Sequence, residues 1–203
     1  MEYILTIIGA YLIGSSNMAL YISKAKNVDL RAGGSGNLGA SNTVTLMGWM
    51  AGFVVAVHDI GKSALAVIVA GMLFPEVANI GAVAGIASVL GHIFPFYLKF
   101  KGGKGTASYI GMTLALNWKL ALAIMALMLV ATVITDYIVV GTTLTILAVP
   151  AYMGIAEGSM LLALILCIGT VVIAAKHSAN YVRIYKGTEI GLRSAAKGNY
   201  RMQ

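Results

Sequence analysis

Charge is scarce in this chain of 203 residues. Asp, Glu, Lys and Arg together make up 10%, against 59% hydrophobic residues, and the mean hydropathy is +0.88. A soluble domain cannot cover that much apolar surface with so few charges, which excludes a soluble globular class. Cysteine is nearly absent: Cys167 stands alone in an apolar run, so no intrachain disulfide forms and it reads as a small packing residue. The polar–apolar alternation of a membrane β-strand is missing too. Residues 120–134 and 159–175 are continuously apolar, which excludes an outer-membrane barrel. The N-terminal stretch has no basic flank, carries Glu2 and shows no small-residue cleavage site, so it reads as an uncleaved first span.

What the chain does have is a series of apolar runs bounded by Gly, Pro, Asn and charges. They predict helices over 3–23, 47–73, 79–98, a short one over 105–117, then 119–134, 137–156 and 159–176. The expected fold is therefore an all-α polytopic membrane protein, a seven-helix bundle. Connections as short as Pro75-Glu76, Asn117-Trp118 and Glu157-Gly158 predict a single domain over 1–203.

The basic residues set the expected orientation. With the N-terminus outside, Lys24, Lys26, Arg31, Lys99, Lys101, Lys104, Lys176, Arg183, Lys186, Arg193, Lys197 and Arg201 share one face, which the positive-inside rule makes cytoplasmic, as is the C-terminus. Only Lys119 falls opposite, and Lys62 lies within a span. The net charge of +7 is then a topological signal with some attraction to anionic membrane lipids. No aromatic–basic reading surface accompanies it, so no nucleic-acid partner is expected.

Glycine is abundant, at 24 residues, and two runs concentrate it: GGSGNLGASN at 33–42 and GGKGTAS at 102–108. Both fall on the expected cytoplasmic face, with a third polar run at 176–189. Irregular backbone near membrane depth is tolerated where it lines a cavity. Gly34, Gly36 and Gly39, and Gly102, Gly103 and Gly105, allow tight turns and close backbone approach, and each run leads into a helix whose first N–H groups favour anions. Ser35, Asn37 and Asn42 add neutral hydrogen-bonding groups, and Lys104 adds a cation suited to a phosphate. The alternative is that these glycines only let helices pack closely. GGKG is not a Walker A motif, and Gly61-Lys62-Ser63 has Ala56 where that motif needs glycine.

Asp59 and Lys62 stand one helical turn apart inside an apolar helix, as a structural clamp or as a pair that organises a site. His58 beside them reads as a packing residue. Three histidines on separate segments, without paired Cys or a His-x-x-x-His spacing, give no metal site. His177, Asn180 and Arg183 recur every three residues and form one polar stripe on a helix, either a phosphate- and hydroxyl-holding face or a solvated helix end.

The order of these motifs, GGSGNLGASN, then Asp59-x-x-Lys62, then GHIFPFYLKFKGGKGTA at 91–107, then His177-x-x-Asn180-x-x-Arg183 with Gly187 and Glu189, resembles the acyl-phosphate:glycerol-3-phosphate acyltransferase family, PlsY. The resemblance covers nearly the whole chain. It implies a seven-helix enzyme of the bacterial cytoplasmic membrane, acting without cofactor or metal and expected to be a monomer. The implied reaction moves a fatty acyl group from acyl phosphate to the 1-hydroxyl of glycerol 3-phosphate, the first step of phospholipid synthesis. Carried over, Ser35, Lys104, His177 and Asn180 are the catalytic candidates. Gly34, Gly36, Asn37, Gly39, Asn42, Gly102, Gly103, Gly105, Arg183 and Glu189 are substrate-binding candidates, with Asp59 and Lys62 as an organising pair. The chain departs from the family pattern where a usual Arg is Thr45 and a usual polar residue is Val139. Three other readings compete: an acyltransferase with a less anionic acceptor, an inactive homologue, which would explain Thr45 and Val139, and a non-enzymatic transporter of a phosphorylated metabolite, which should show an inverted repeat that is not evident here.

Overall fold

The computed structural model describes residues 1–196, and within them the secondary structure is helical. Lys197 and Arg201, counted above for orientation, lie outside the described residues. In chain order the helices are α1 (Glu2–Ser15), α2 (Met18–Lys26), α3 (Ala40–Met47), α4 (Trp49–Leu73), α5 (Ile80–Ile93), α6 (Thr106–Leu116), α7 (Trp118–Thr135), α8 (Ile138–Ala156), α9 (Met160–Lys176), α10 (Ser178–Tyr185) and α11 (Leu192–Ala196). A short 3₁₀ turn, Phe96–Leu98, follows α5.

Polar residues set the breaks. The Asn17 side chain accepts the Leu20 N–H at 2.8 Å and starts α2, so the expected 3–23 span divides at Ser16-Asn17. Asn117 and Ser159 cap α7 and α9 in the same way, at 2.9 and 3.2 Å. Gly48, at φ +85, separates α3 from α4, and the helix expected from residue 47 in fact has a forerunner inside GGSGNLGASN. Pro95 holds extended backbone just after α5, which therefore ends at Ile93 rather than 98. His177 marks a 44° bend between α9 and α10.

Among the described residues five helices are long and apolar enough to cross a membrane, counting α1–α2 together, and the bent pair α9–α10 makes a sixth. The 11 residues of α6 form a shorter apolar helix packed against α4, α5 and α7. Large apolar side chains such as Phe53, Leu129, Ile134 and Val171 face outward, as a lipid-facing surface requires. The core is built from Val89 and Ile93 of α5, Tyr109 and Met112 of α6, Ile146 and Val149 of α8, and Leu166 and Ile173 of α9.

Some of the glycines act as close-packing residues. A Cβ on Gly14 would stand 2.0 Å from the Ser88 carbonyl oxygen, and one on Gly91 2.2 Å from that of Tyr11, so α1 and α5 touch backbone to backbone. Pro150, inside α8, lacks the N–H that would bond the Ile146 carbonyl. Thr170 of α9 supplies the donor instead, its hydroxyl reaching the Ile146 oxygen at 2.6 Å. Ile146 is buried, 1% exposed, so the side chain replaces what the proline removes. Thr170→Val should lower stability in detergent by about 1 kcal/mol, read as an earlier thermal or denaturant midpoint; an unchanged midpoint would show that the carbonyl finds another donor.

Candidate active site

The polar residues at one end of the bundle come from three elements. Lys104 precedes α6 in the second glycine loop, His177 stands at the α9–α10 bend, and Glu189 follows α10. They meet in a chain of charge-assisted hydrogen bonds. Lys104 Nζ donates to Asn180 Oδ1 at 2.7 Å, Asn180 Nδ2 donates to Glu189 Oε1 at 2.6 Å, and Arg183 Nε donates to Glu189 Oε2 at 2.5 Å. Asn180 thus has both ends of its amide fixed, and Glu189 holds both Asn180 and Arg183.

His177 sits on the same turn, its carbonyl accepting the Asn180 N–H at 2.9 Å. Its Nδ1 lies 2.9 Å from the Ile173 carbonyl oxygen. A carbonyl only accepts, so Nδ1 carries the hydrogen and the neutral ring keeps its lone pair on Nε2. His177 and Asn180 are both buried, at 6% exposure, which limits them to ligands that enter the site.

Burial also acts on Lys104. It lowers the ammonium's pKa from the ordinary lysine value to about 8, with the Arg183 charge adding to the effect and Glu189 opposing it. Beside it Gly105, at φ +97, begins α6 with no side-chain cap, so the first N–H groups of that helix and the Lys104 ammonium point to an anion.

The first glycine loop is ordered from within. Ser35 N–H donates to Asn42 Oδ1 at 2.8 Å, and Asn42 Nδ2 donates to the carbonyls of Leu30 and Gly33 at 2.8 and 3.3 Å. Asn42, expected to bind substrate, is 2% exposed with its amide committed to shaping the loop. Gly34, at φ +58, passes so close that a Cβ there would stand 2.2 Å from Asn42 Oδ1. Gly39 starts α3, Gly36 closes a turn onto Gly33 at 3.0 Å, and Ser35 is left exposed at the loop's tip, with Asn37 half-buried. Arg31 Nη2 donates to the Lys101 carbonyl at 3.0 Å and ties this loop to the second one. No hydrogen bond among the described residues joins Ser35 to Lys104 or Asn180.

Two expectations need correction. The Gly102 and Gly103 amides do not face a ligand: they donate to the carbonyls of Ile93 and His92 at 3.0 and 3.1 Å. A Cβ on Gly103 would stand 2.0 Å from His92 Nε2, so glycine is needed there for close packing. His58 is not a plain packing residue either, since its Nε2 lies 3.0 Å from the Ser16 hydroxyl. Asp59 and Lys62 are paired at 2.8 Å, buried in the bundle.

Residues missed in the sequence lie on α8. Thr142 meets the Thr106 hydroxyl at 3.3 Å, and Thr143 bonds the Tyr181 hydroxyl while donating to the Val139 carbonyl at 2.8 Å. The signal was available in GTTLT at 141–145, a polar run inside an apolar span. Val139 itself is buried, 3% exposed. Thr45 folds its hydroxyl back to the Ser41 carbonyl at 3.1 Å, and its methyl would lie 3.5 Å from a Cβ on Gly34, so position 45 borders the Ser35 loop.

A family model described as glycerol-3-phosphate acyltransferase matches residues 4–187. The chain is 38% identical over 190 residues to a Coxiella burnetii glycerol-3-phosphate acyltransferase, covering 93% of this chain and 97% of that protein. To the Geobacter sulfurreducens protein of the same name it is 35% identical over 191 residues, with 93% and 96% covered. Its fold is similar to that of PlsY, an integral membrane glycerol 3-phosphate acyltransferase solved in a glycerol 3-phosphate form. The TM-score is 0.90 at 28% identity, covering 97% of this chain and 98% of that one. The lysophosphatidic acid form of PlsY superimposes with a TM-score of 0.85 at 28% identity, covering 94% and 95%.

Lys104 gives the site a pH signature. The ammonium is charged below about pH 8 and neutral above it, so affinity for inorganic phosphate, which is a dianion at and above that pH, should weaken by up to about ten-fold per unit above the pKa. Titration calorimetry on the purified protein and on Lys104→Met checks this: the variant should lose the pH dependence, and a flat wild-type profile would remove Lys104 from the anion site.

Proposed function

The chain belongs to the glycerol-3-phosphate acyltransferase family, and we propose that it transfers a fatty acyl group from acyl phosphate to the 1-hydroxyl of glycerol 3-phosphate. The observation that carries the reading is the Lys104–Asn180–Glu189–Arg183 chain set beside His177. It offers a cation for phosphate, an oriented amide and a basic ring nitrogen, which are the groups this transfer uses.

The acceptor hydroxyl donates a hydrogen bond to His177 Nε2 and attacks the acyl carbonyl carbon. The bond from that carbon to the phosphate oxygen breaks, and the hydroxyl proton ends on the departing phosphate, leaving lysophosphatidate and hydrogen phosphate. The leaving group is already good, so the protein's contribution is positioning and charge stabilisation. Lys104 and the start of α6 neutralise one phosphate. Ser35, Gly36, Asn37 and Gly39 form the wall of the cradle that holds the other. Arg183 and Glu189 brace Asn180. Thr142 and Thr143 add hydroxyls on the α8 side.

The acyl chain reaches the site from the bilayer. An apolar groove of about 740 Å³ between α1, α5 and α9, lined by Ile7, Tyr11, Val83, Leu90, Phe96 and Ile168, supplies a surface for it. Tyr11 at the groove donates to the Phe94 carbonyl at 2.6 Å, next to the carbonyls that hold Gly102 and Gly103. The apolar runs support a bundle of seven helices with α6 as the shortest, the family resemblance supports a bacterial cytoplasmic membrane, and the basic-residue pattern supports an N-terminus outside and a site open to the cytoplasm.

Purified protein in detergent, given palmitoyl phosphate, should release phosphate only when glycerol 3-phosphate is added. Lys104→Ala and Ser35→Ala should each lose about ten-fold or more in kcat/KM. No release from folded protein with any acceptor tried would end the enzymatic reading, and full activity in both variants would mean the site lies elsewhere. Thr45→Arg places a guanidinium beside the Ser35 loop and should lower the KM for glycerol 3-phosphate by about three-fold or more. An unchanged KM would separate position 45 from the acceptor phosphate.

A further inference from the structure

A second polar cluster lies inside the bundle, and no residue of it belongs to the Lys104–Asn180 chain. Its centre is Lys62 on α4. The ammonium has three hydrogens and three partners: the Ser16 carbonyl at 2.7 Å, Asp59 Oδ1 at 2.8 Å and His92 Nδ1 at 2.9 Å. A charged lysine only donates, so His92 Nδ1 accepts and its ring proton sits on Nε2. Lys62, Asp59 and His92 are all buried, at 6%, 2% and 3% exposure. Intramembrane charge is costly, and close packing against α1 and α5 would not require it.

Two of the three partners of Lys62 lead by hydrogen bonds to a glycine loop, His92 itself and Ser16 through its neighbour Asn17. The His92 carbonyl accepts the Gly103 N–H at 3.1 Å, and the loop backbone passes so close to the imidazole that a Cβ on Gly103 would collide with it. Lys104 is the next residue. On the other side Ser16 precedes Asn17, which caps α2 through Oδ1 and donates from Nδ2 to the Leu38 carbonyl at 3.4 Å, inside the first loop. One buried ammonium therefore holds the seats of both loops, and the Arg31–Lys101 contact closes the circuit at the surface.

We propose that Lys62, with Asp59 and His92, is a positioning centre: it fixes the two glycine loops relative to each other and so places the Lys104 ammonium and the Ser35 hydroxyl, without touching substrate. The activity part of this proposal rests on the acyl-transfer reading, whereas the positional part stands by itself.

The test is the double variant Asp59→Leu/Lys62→Met, which removes both charges together and leaves no unpaired buried ion, so the bundle should still fold. Hydrogen–deuterium exchange of the purified protein is read at the loop amides of Gly102, Gly103 and Ser35. These should exchange about ten-fold faster or more than in the parent, while amides in the α7–α8 hairpin keep their parental rates. In the palmitoyl phosphate assay kcat/KM for glycerol 3-phosphate should fall by about ten-fold or more, mainly through KM. A second pair carries the same test should the double variant not fold: His92→Asn keeps an acceptor for Lys62 and should protect the loop amides better than His92→Leu. Unchanged loop exchange, or exchange accelerated equally in every helix, overturns the positioning role. A wild-type protein that never releases phosphate would sink the acyl-transfer reading and leave the exchange measurement to judge this one.

Discussion

Inside a bilayer no water is available to complete an interrupted hydrogen-bond ladder, and the structure depends on how this chain meets that constraint. It breaks its helices at several points, and several of the exposed carbonyls receive a donor from another element. The α1–α2 break is covered by Lys62 at Ser16 and by the Tyr97 hydroxyl at Ser15, 2.7 Å each. Tyr11 covers Phe94 beyond the end of α5, and Thr170 covers Ile146 below Pro150. Each repair crosses between helices, so satisfying the backbone and packing the bundle are one process. The loops that such breaks release carry the candidate site residues Ser35 and Lys104.

The two polar centres solve opposite electrostatic problems. In the interior, Lys62 and Asp59 neutralise each other, and every hydrogen of the ammonium is used. Removing one partner of such a pair commonly costs about 3–5 kcal/mol, because the other is left buried and charged. At the site, Lys104 and Arg183 face a single carboxylate, Glu189, which leaves an excess of positive charge. One negative charge would complete that balance, and a dianion would exceed it by one. The interior ammonium has no hydrogen left for a further partner, whereas the candidate site keeps a net positive charge.

Much of the fold was legible in composition and punctuation. Asn117 and Ser159 mark helix starts because their side chains cap the next turn, and the ends of α7, α8 and α9 fall within a residue or so of the apolar runs. The breaks were harder to read. Ser16-Asn17 is a two-residue interruption in a hydrophobic stretch, and its partners Lys62 and Tyr97 come from 46 and 82 residues away. The site was legible as residue types but less so as roles. His177, Asn180 and Arg183 share the stripe that their spacing implied, and Lys104 and Glu189 join it from other segments, as the resemblance implied. Asn42, Gly102 and Gly103 have the composition of ligand-binding residues yet spend their polar groups on the loops themselves. Sequence alone cannot separate a free amide from one already paired across the fold.

That distinction changes what the glycine-rich runs are for. In GGKG the first two glycines press the loop onto His92 and Pro95, and the third begins α6 with a left-handed turn that leaves the first N–H groups of the helix open. In GGSGNLG the glycines let the chain fold around Asn42 so that Ser35 projects from the tip. The bare backbone therefore serves mainly to bring loops close to rigid supports, and only at the helix starts does it offer donors to a ligand. A cradle built this way owes its geometry to the supports beneath it. Its precision depends on His92, Asn42 and the Lys62 ammonium, residues that composition places in the core, as much as on the side chains proposed to hold the phosphate.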